Sequence, residues 1–202
     1  MVGATLLVVA RNNERRTELA DAGLAVLARE GARGLTHRAV DREAGVPIGT
    51  SSNYFRSRAD LFDGIVRRIG ERLAPEPAVL ERLGRREPSR ELFADYISDI
   101  VRRMNTHRDL TIALFELRLE AARRPEVAQR LTPWFRDAFA ADVAFNTAAG
   151  LPGDAADIAL FHYAIDGLML DRLTVSIDPD SAADAVARDL VDRLLPEADC
   201  AP

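Results

Sequence analysis

Residues 35–58 read LTHRAVDREAGVPIGTSSNYFRSR. An apolar helical pattern runs into this stretch and another leaves it. The stretch itself is broken at Gly45-Val46-Pro47 and then fills with Gly49, Thr50, Ser51, Ser52 and Asn53. Thr36 stands where a side-chain oxygen accepts from the free N–H groups of a first helical turn. The helix it opens carries Val40 and Ala44 inward, four apart, and stops at Gly45. Val46 plugs the turn, and Pro47, with its fixed φ, opens a third helix over 47–54. Two short helices joined by a glycine turn form a helix-turn-helix unit. In such a unit the first helix braces against the DNA backbone and the second enters the major groove, where base edges differ in donors and acceptors. Small residues allow close approach, and hydroxyls and amides reach phosphates and bases. Ser51 is expected to face inward. An enzyme site needs convergent acid–base or nucleophilic groups, and this stretch has none.

Outward from the motif the spacing stays helical, without sustained β alternation. A first helix is expected over 13–31, ending at Gly31, and a fourth over 59–73, with Leu61, Phe62, Ile65, Val66 and Ile69 on its apolar face. The Pro- and charge-rich segment 75–89 reads as a loop with one helical turn. Further helices are expected over 89–106, 110–124, 125–149, 155–176 and 181–195, the last three separated by Leu151-Pro152-Gly153 and Asp178-Pro179-Asp180.

The bulk composition is consistent with a DNA-reading module joined to something else. The chain has 202 residues, 48% of them apolar, enough for a sizeable core. The net charge is −5, but residues 1–73 hold 12 Arg against 9 acidic residues, and the remainder 15 against 23. Every basic side chain is Arg, a pattern that coding bias alone produces, although the forked guanidinium also suits phosphates and guanine edges. The single cysteine, Cys200, fits a reducing compartment and excludes an internal disulfide framework. The apolar run TLLVVA at 5–10 is too short to span a membrane and lacks signal-peptide flanks, so it reads as a frayed arm or as the product of a start codon assigned too early. The expected location is the cytoplasm.

At these residues the sequence resembles the TetR family of one-component repressors. The resemblance covers 13–73 in its motif and the rest in outline. The family pattern is met by Thr36, Ala44-Gly45-Val46, Gly49-Thr50, Tyr54-Phe55, Ser57-Arg58 and Leu61-Phe62. Two positions depart from it: a tyrosine is usual where Ser52 stands, and a lysine where Arg58 stands. Carried over residue by residue, the resemblance implies that Thr36 and His37 contact the DNA backbone and that Arg38 reaches base edges. Pro47, Ile48, Gly49, Thr50 and Asn53 then approach the groove, with Ile48 against a thymine methyl, while Tyr54 and Arg58 hold phosphates.

The longer half has three aromatic and apolar stripes, one of Phe93, Tyr96, Ile97, Ile100 and Met104, one of Phe115 and Leu119, one of Trp134, Phe135 and Phe139. Helical spacing of this kind serves as core more often than as a ligand box. The resemblance implies an inducer pocket here, for which Phe93, Tyr96, Ile100, Met104, Phe115, Leu119, Trp134, Phe135, His162 and Asp166 are the candidates. His162, Tyr163 and Asp166 lie close together on one helix and equally suit hydrogen bonds across a subunit interface. Glu116 and Glu120 are paired four apart, but Glu120 with Arg124 reads more simply as a surface ion pair at i,i+4. The last two helices carry broad apolar faces. The resemblance implies that they dock on a twofold mate, through Ile158, Phe161, Ile165, Met169, Val186 and Leu190. A dimer also follows from geometry, since one recognition helix cannot reach two half-sites about 34–36 Å apart.

The expectation is therefore an all-α chain with a three-helix helix-turn-helix DNA-binding domain over 12–58. A helical ligand-binding and dimerisation domain follows over 59–196. The expected partners are double-stranded operator DNA, a small-molecule effector and a second copy of the chain. No catalytic residue, metal, cofactor or membrane is expected.

Overall fold

The computed structural model describes the backbone of residues 2–195 and the side chains of residues 12–195. Cys200 lies outside the described residues. The described residues form ten helices and no strand, and divide into two compact units.

The first unit comprises Met1–Leu73 and Asp109–Pro133. Its helix α1 spans Val2–Gly34 and is interrupted at Gly31, where φ is 67°. The left-handed backbone that glycine tolerates thus breaks the helix where the sequence places its stop. The start differs from expectation, because residues 2–12 continue the helix instead of fraying. Helices α2 (His37–Glu43) and α4 (Arg58–Leu73) pack on α1, and the short α3 (Thr50–Tyr54) packs on α2. Leu19, Leu24, Leu27, Leu35, Val40, Phe55, Leu61, Ile65 and Ile69 are fully buried or nearly so and form the core. Arg68 on α4 clamps Asp21 on α1 with two parallel hydrogen bonds of 2.9 and 3.0 Å, the forked geometry of a strong guanidinium–carboxylate pair. α7 (Arg108–Arg123) and the first turns of α8 (Pro125–Ala148) lie chiefly in this unit, whose second segment ends at Pro133 inside α8. Glu120 corrects one expectation. It pairs with Arg124 at 3.0 Å, but it is buried rather than part of a surface network.

Gly64 on α4 faces the ring of Phe55, and a Cβ there would come within 2.4 Å of Phe55 Cε1. Phe55 is fully buried directly behind α3, so its ring has nowhere to retreat. Overpacking of this kind costs about 1–3 kcal/mol. Gly64→Ala is therefore expected to lower the urea midpoint by the corresponding amount. An unchanged midpoint would show that Phe55 moves freely.

The second unit comprises Ala74–Arg108 and Trp134–Pro202. It holds α5 (Pro77–Gly84), α6 (Arg90–Thr106), the rest of α8, α9 (Ala155–Leu173) and α10 (Ala183–Leu194). The segment expected as loop contains a two-turn helix, opened by Pro77 and anchored by buried Leu83. α6 packs on α9, α10 and α5. Local chemistry sets several boundaries. Ser89 accepts from Leu92 N–H at 3.1 Å to cap α6. Asp154 and Asp157 form a reciprocal capping box on α9. Phe93 meets Phe161 edge-on, 4.9 Å between centroids, at the α6–α9 contact.

Candidate nucleic-acid interface

The helix-turn-helix is assembled around one carboxylate that the sequence reading passed over. Asp41 on α2 is fully buried. Its Oδ2 accepts from Gly49 N–H and its Oδ1 from Ser51 N–H, both at 2.7 Å. These are donors at the start of α3, where N–H groups lack helical partners. The helix begins at Thr50, not at Pro47 as expected. Residues 47–49 form a turn closed by Thr50 N–H to Pro47 carbonyl at 3.1 Å, and Gly49 sits at φ 94°. That conformation strains any residue with a Cβ.

His37 and Ser51 complete the assembly. His37 Nε2 lies 2.7 Å from the Phe55 carbonyl, tying the start of α2 to the end of α3. Ser51 is buried, and its hydroxyl donates to the His37 carbonyl at 3.0 Å. Thr36 Oγ1 accepts from Ala39 N–H at 3.2 Å and caps α2. Arg16 from α1 donates to the Tyr54 carbonyl at 3.0 Å and lies 4.7 Å from the Phe55 ring centre.

Burial works to raise the Asp41 carboxyl pKa, but the hydrogen bonds from Ser51 and Gly49, aided by His37, hold it below the ordinary value. A depressed folded pKa adds stability that is complete above the unfolded value of about 3.9 and is lost as pH falls through the folded one. The urea midpoint of the natural protein should therefore exceed that of Asp41→Asn by a constant margin near neutrality, and the margin should shrink below about pH 4. A margin independent of pH would contradict this assignment.

The side chains that remain point outward. Ile48 is 66% exposed. Thr36, Arg38, Pro47 and Asn53 are exposed, and Gly49, Thr50 and Tyr54 are half-buried. Thr50 Oγ1 donates to the Pro47 carbonyl at 2.6 Å, which leaves its lone pairs free to accept. The Arg38 side chain forms no hydrogen bond or ion pair with the described residues. The same holds for Arg42, one turn later on α2, and for Arg56 after α3, both exposed. Neither was singled out in the sequence, although the Arg38–Arg42 spacing of four is the signal for a shared face. Arg58, expected at a phosphate, has a partner within its own chain. Its guanidinium donates to the Ala32 carbonyl and lies 5.3 Å from the Phe62 ring centre, so its best donor closes on the protein's own backbone.

The other candidate residues are distributed as follows. Phe115 and Leu119 belong to the first unit, and Leu119 is exposed. Phe93 and Met104 are buried, while Ile100, Trp134, Phe135 and Asp166 are half-buried. Tyr96 meets Phe145 edge-on at 5.2 Å, Trp134 meets Phe135 at 4.9 Å, and His162 meets Phe139 at 5.6 Å. His162 Nε2 also lies 3.1 Å from Asp142. The expected dimer residues need correction. Ile158, Phe161, Ile165 and Met169 are buried within the single chain, and Val186 and Leu190 are half-buried. On α9 the exposed large apolar side chains are Leu160, Tyr163 and Leu170.

A short helix held by a buried cap on its neighbour, with free guanidiniums on either side, has the arrangement of a helix-turn-helix unit. Comparison with known proteins agrees. Residues 19–65 match the model for bacterial regulatory proteins of the tetR family, and residues 88–197 match the tetracyclin repressor-like C-terminal domain. The chain belongs to the TetR family and is a DNA-binding transcriptional regulator. No curated protein matches it significantly. Among solved structures it resembles multidrug binding protein EbrR complexed with imidazole, at 27% identity and TM-score 0.65, over 91% of this chain and 96% of that one. A TetR-family member from Streptomyces coelicolor A3 is 28% identical with TM-score 0.65, over 91% and 99%. FadR from Bacillus subtilis in complex with stearoyl-CoA is 18% identical with TM-score 0.69, over 88% and 96%, a likeness of fold alone. No described helix is long and apolar enough to cross a membrane.

Proposed function

We propose that the protein is a cytoplasmic homodimeric repressor that occupies a palindromic operator and leaves it when a small-molecule inducer binds. The observation that carries this reading is the presentation of α3, whose inner side is fixed by Asp41 and Ser51 while Ile48 and Asn53 stand free. Arg38 reads a guanine edge, Ile48 covers a thymine methyl, and Thr50 and Asn53 reach bases or phosphates across the small surface at Gly49. Thr36, Pro47 and Tyr54 lie against the sugar–phosphate backbone, joined by Arg42 and Arg56. His37 and Arg58 act at one remove, by holding the motif together.

In the second unit Tyr96, Trp134, Phe135 and Phe139 offer ring faces and edges of the kind that bind flat aromatic molecules. The related EbrR is a multidrug binding protein solved with ethidium and with imidazole, which supports an aromatic effector. Phe93, Ile100 and Met104 on α6, with His162 and Asp166 on α9, are the further residues of this unit proposed to contact the effector. The inducer favours a state of the dimer in which the two α3 helices no longer match the half-sites. Operator DNA must then weaken inducer binding by the same factor.

Recovery of bound fragments from genomic DNA should return one short inverted repeat. Arg38→Ala should then lose about 1–3 kcal/mol of preference for that repeat over a scrambled copy, with the dimer intact. If the fragments share no sequence, or if Arg38→Ala discriminates as well as the natural protein, this reading fails.

A further inference from the structure

The face of α6 opposite Phe93, Ile97, Ile100 and Met104 borders a cleft of about 260 Å3 between α5, α6 and the start of α10. Its size is just under the roughly 300 Å3 at which ligand pockets commonly begin. Its lining is charged, unlike the aromatic stripe behind it. Asp95 accepts from Arg86 and, at 2.6 Å, from Arg188. Asp99, buried, accepts from Arg102 and, at 2.8 Å, from Arg103. Each of these carboxylates is thus already held by two guanidiniums, one of each pair from outside the lining, so the lining's own three arginines and three aspartates balance while Asp95 and Asp99 are neutralised from behind. Arg82 on the facing wall makes no hydrogen bond or ion pair with the described residues, and the single unpaired carboxylate of the lining is Asp184 at the head of α10. The Ser98 hydroxyl oxygen is buried at this wall without a hydrogen-bond partner. A buried hydroxyl is ordinarily satisfied, and one that is not calls for an explanation. Leu83 supplies an apolar floor.

We propose that this cleft binds a small organic anion through a phosphate or carboxylate group, gripped by Arg82 and by the donors of Arg102 that Asp99 does not use, and accepting a hydrogen bond from Ser98. A guanidinium fork and an oxyanion match in geometry as well as in charge. A metal cation fits poorly, because Asp95 and Asp99 are committed to arginines. The site is independent of the aromatic effector region, so it is an additional input to the regulator and does not rest on the repressor reading.

The test is calorimetric titration of the full-length protein with inorganic phosphate and separately with citrate, at constant ionic strength against chloride. Saturable binding of either, at one ion per chain, is expected. Phosphate alone identifies a phosphate ligand, and citrate alone identifies carboxylates. Arg82→Gln and Ser98→Ala should each weaken binding at least tenfold, with melting temperature and DNA binding unchanged. Because those two readouts are scored separately, failure here is distinguishable from failure of the repressor reading. Heats no greater than those of chloride, or natural affinity retained in both variants, would overturn the proposal.

Discussion

Asp41→Ala is expected to abolish specific DNA binding and to destabilise the first unit by roughly 3 kcal/mol or more. The stability figure follows from two hydrogen bonds to a charged, fully buried acceptor, each worth about 1.5–3 kcal/mol. Removing the carboxylate strands the Gly49 and Ser51 N–H groups at the start of a helix of five residues. So short a helix has no stability of its own. Its remaining ties are His37 to the Phe55 carbonyl, Ser51 to the His37 carbonyl, and Arg16 to the Tyr54 carbonyl. None of these fixes the Gly49 end, which carries the exposed Ile48 beside it. The expected outcome is a chain whose helical circular dichroism is nearly unchanged and whose urea midpoint is lower. Operator affinity should fall to that of scrambled DNA. Asp41→Asn is the informative companion. It retains one carbonyl acceptor and should fall between the two in both stability and binding. If Asp41→Ala bound the operator normally, α3 would be held by something other than this cap.

Asp41 also shows where reading the sequence stops being sufficient. Thr36 was legible as a cap because a cap and its amide lie three residues apart. Gly31 was legible because a glycine ending an apolar stripe implies a left-handed residue. Asp41 caps a helix eight and ten residues further on, across a turn, and no local pattern connects the pair. The same non-locality placed the start of α3 at Pro47, although its first turn is set by Gly49 and the distant carboxylate. His37 and Arg58 were credited with outward contacts for a related reason. Sequence position fixes the face of a helix, but not whether a long polar side chain finds a carbonyl of its own protein first. The helix-turn-helix itself was fully legible, since several spacings had to agree at once.

On α9 the difficulty was of another kind, and it leads to the second large effect. This helix is apolar on nearly every side, so periodicity alone does not say which stripe meets the chain's own core. The stripe of Ile158, Phe161, Ile165 and Met169 turns inward, and Phe161 lies against Phe93. A second stripe remains outside. Leu160 is 46% exposed, Tyr163 70% and Leu170 50%, with Gly167 between them. A Cβ built on Gly167 meets nothing within 4 Å. Positions 160, 163, 167 and 170 follow the three-four-three spacing of a helix-packing seam, and the glycine permits close approach of a second backbone.

A twofold pairing of regulator chains along this seam predicts that Leu160→Glu together with Leu170→Glu yields a monomer. Four carboxylates would then face one another across the axis in place of apolar contacts. Each chain should remain folded, because neither side chain contributes to the internal core. The effect on DNA should be larger than that of any single base contact. Two linked reading heads gain about 10²–10⁴ in affinity over one through effective concentration alone. The double variant should therefore bind the complete inverted repeat no more tightly than a single half-site, with a loss of that order. Sedimentation of the variant and its titration against full and half operators measure the two halves of this expectation. A variant that sediments as a dimer would place the interface elsewhere on the chain. A monomer that kept the natural affinity for the full repeat would mean that one α3 suffices, and the geometric argument for two would fall with it.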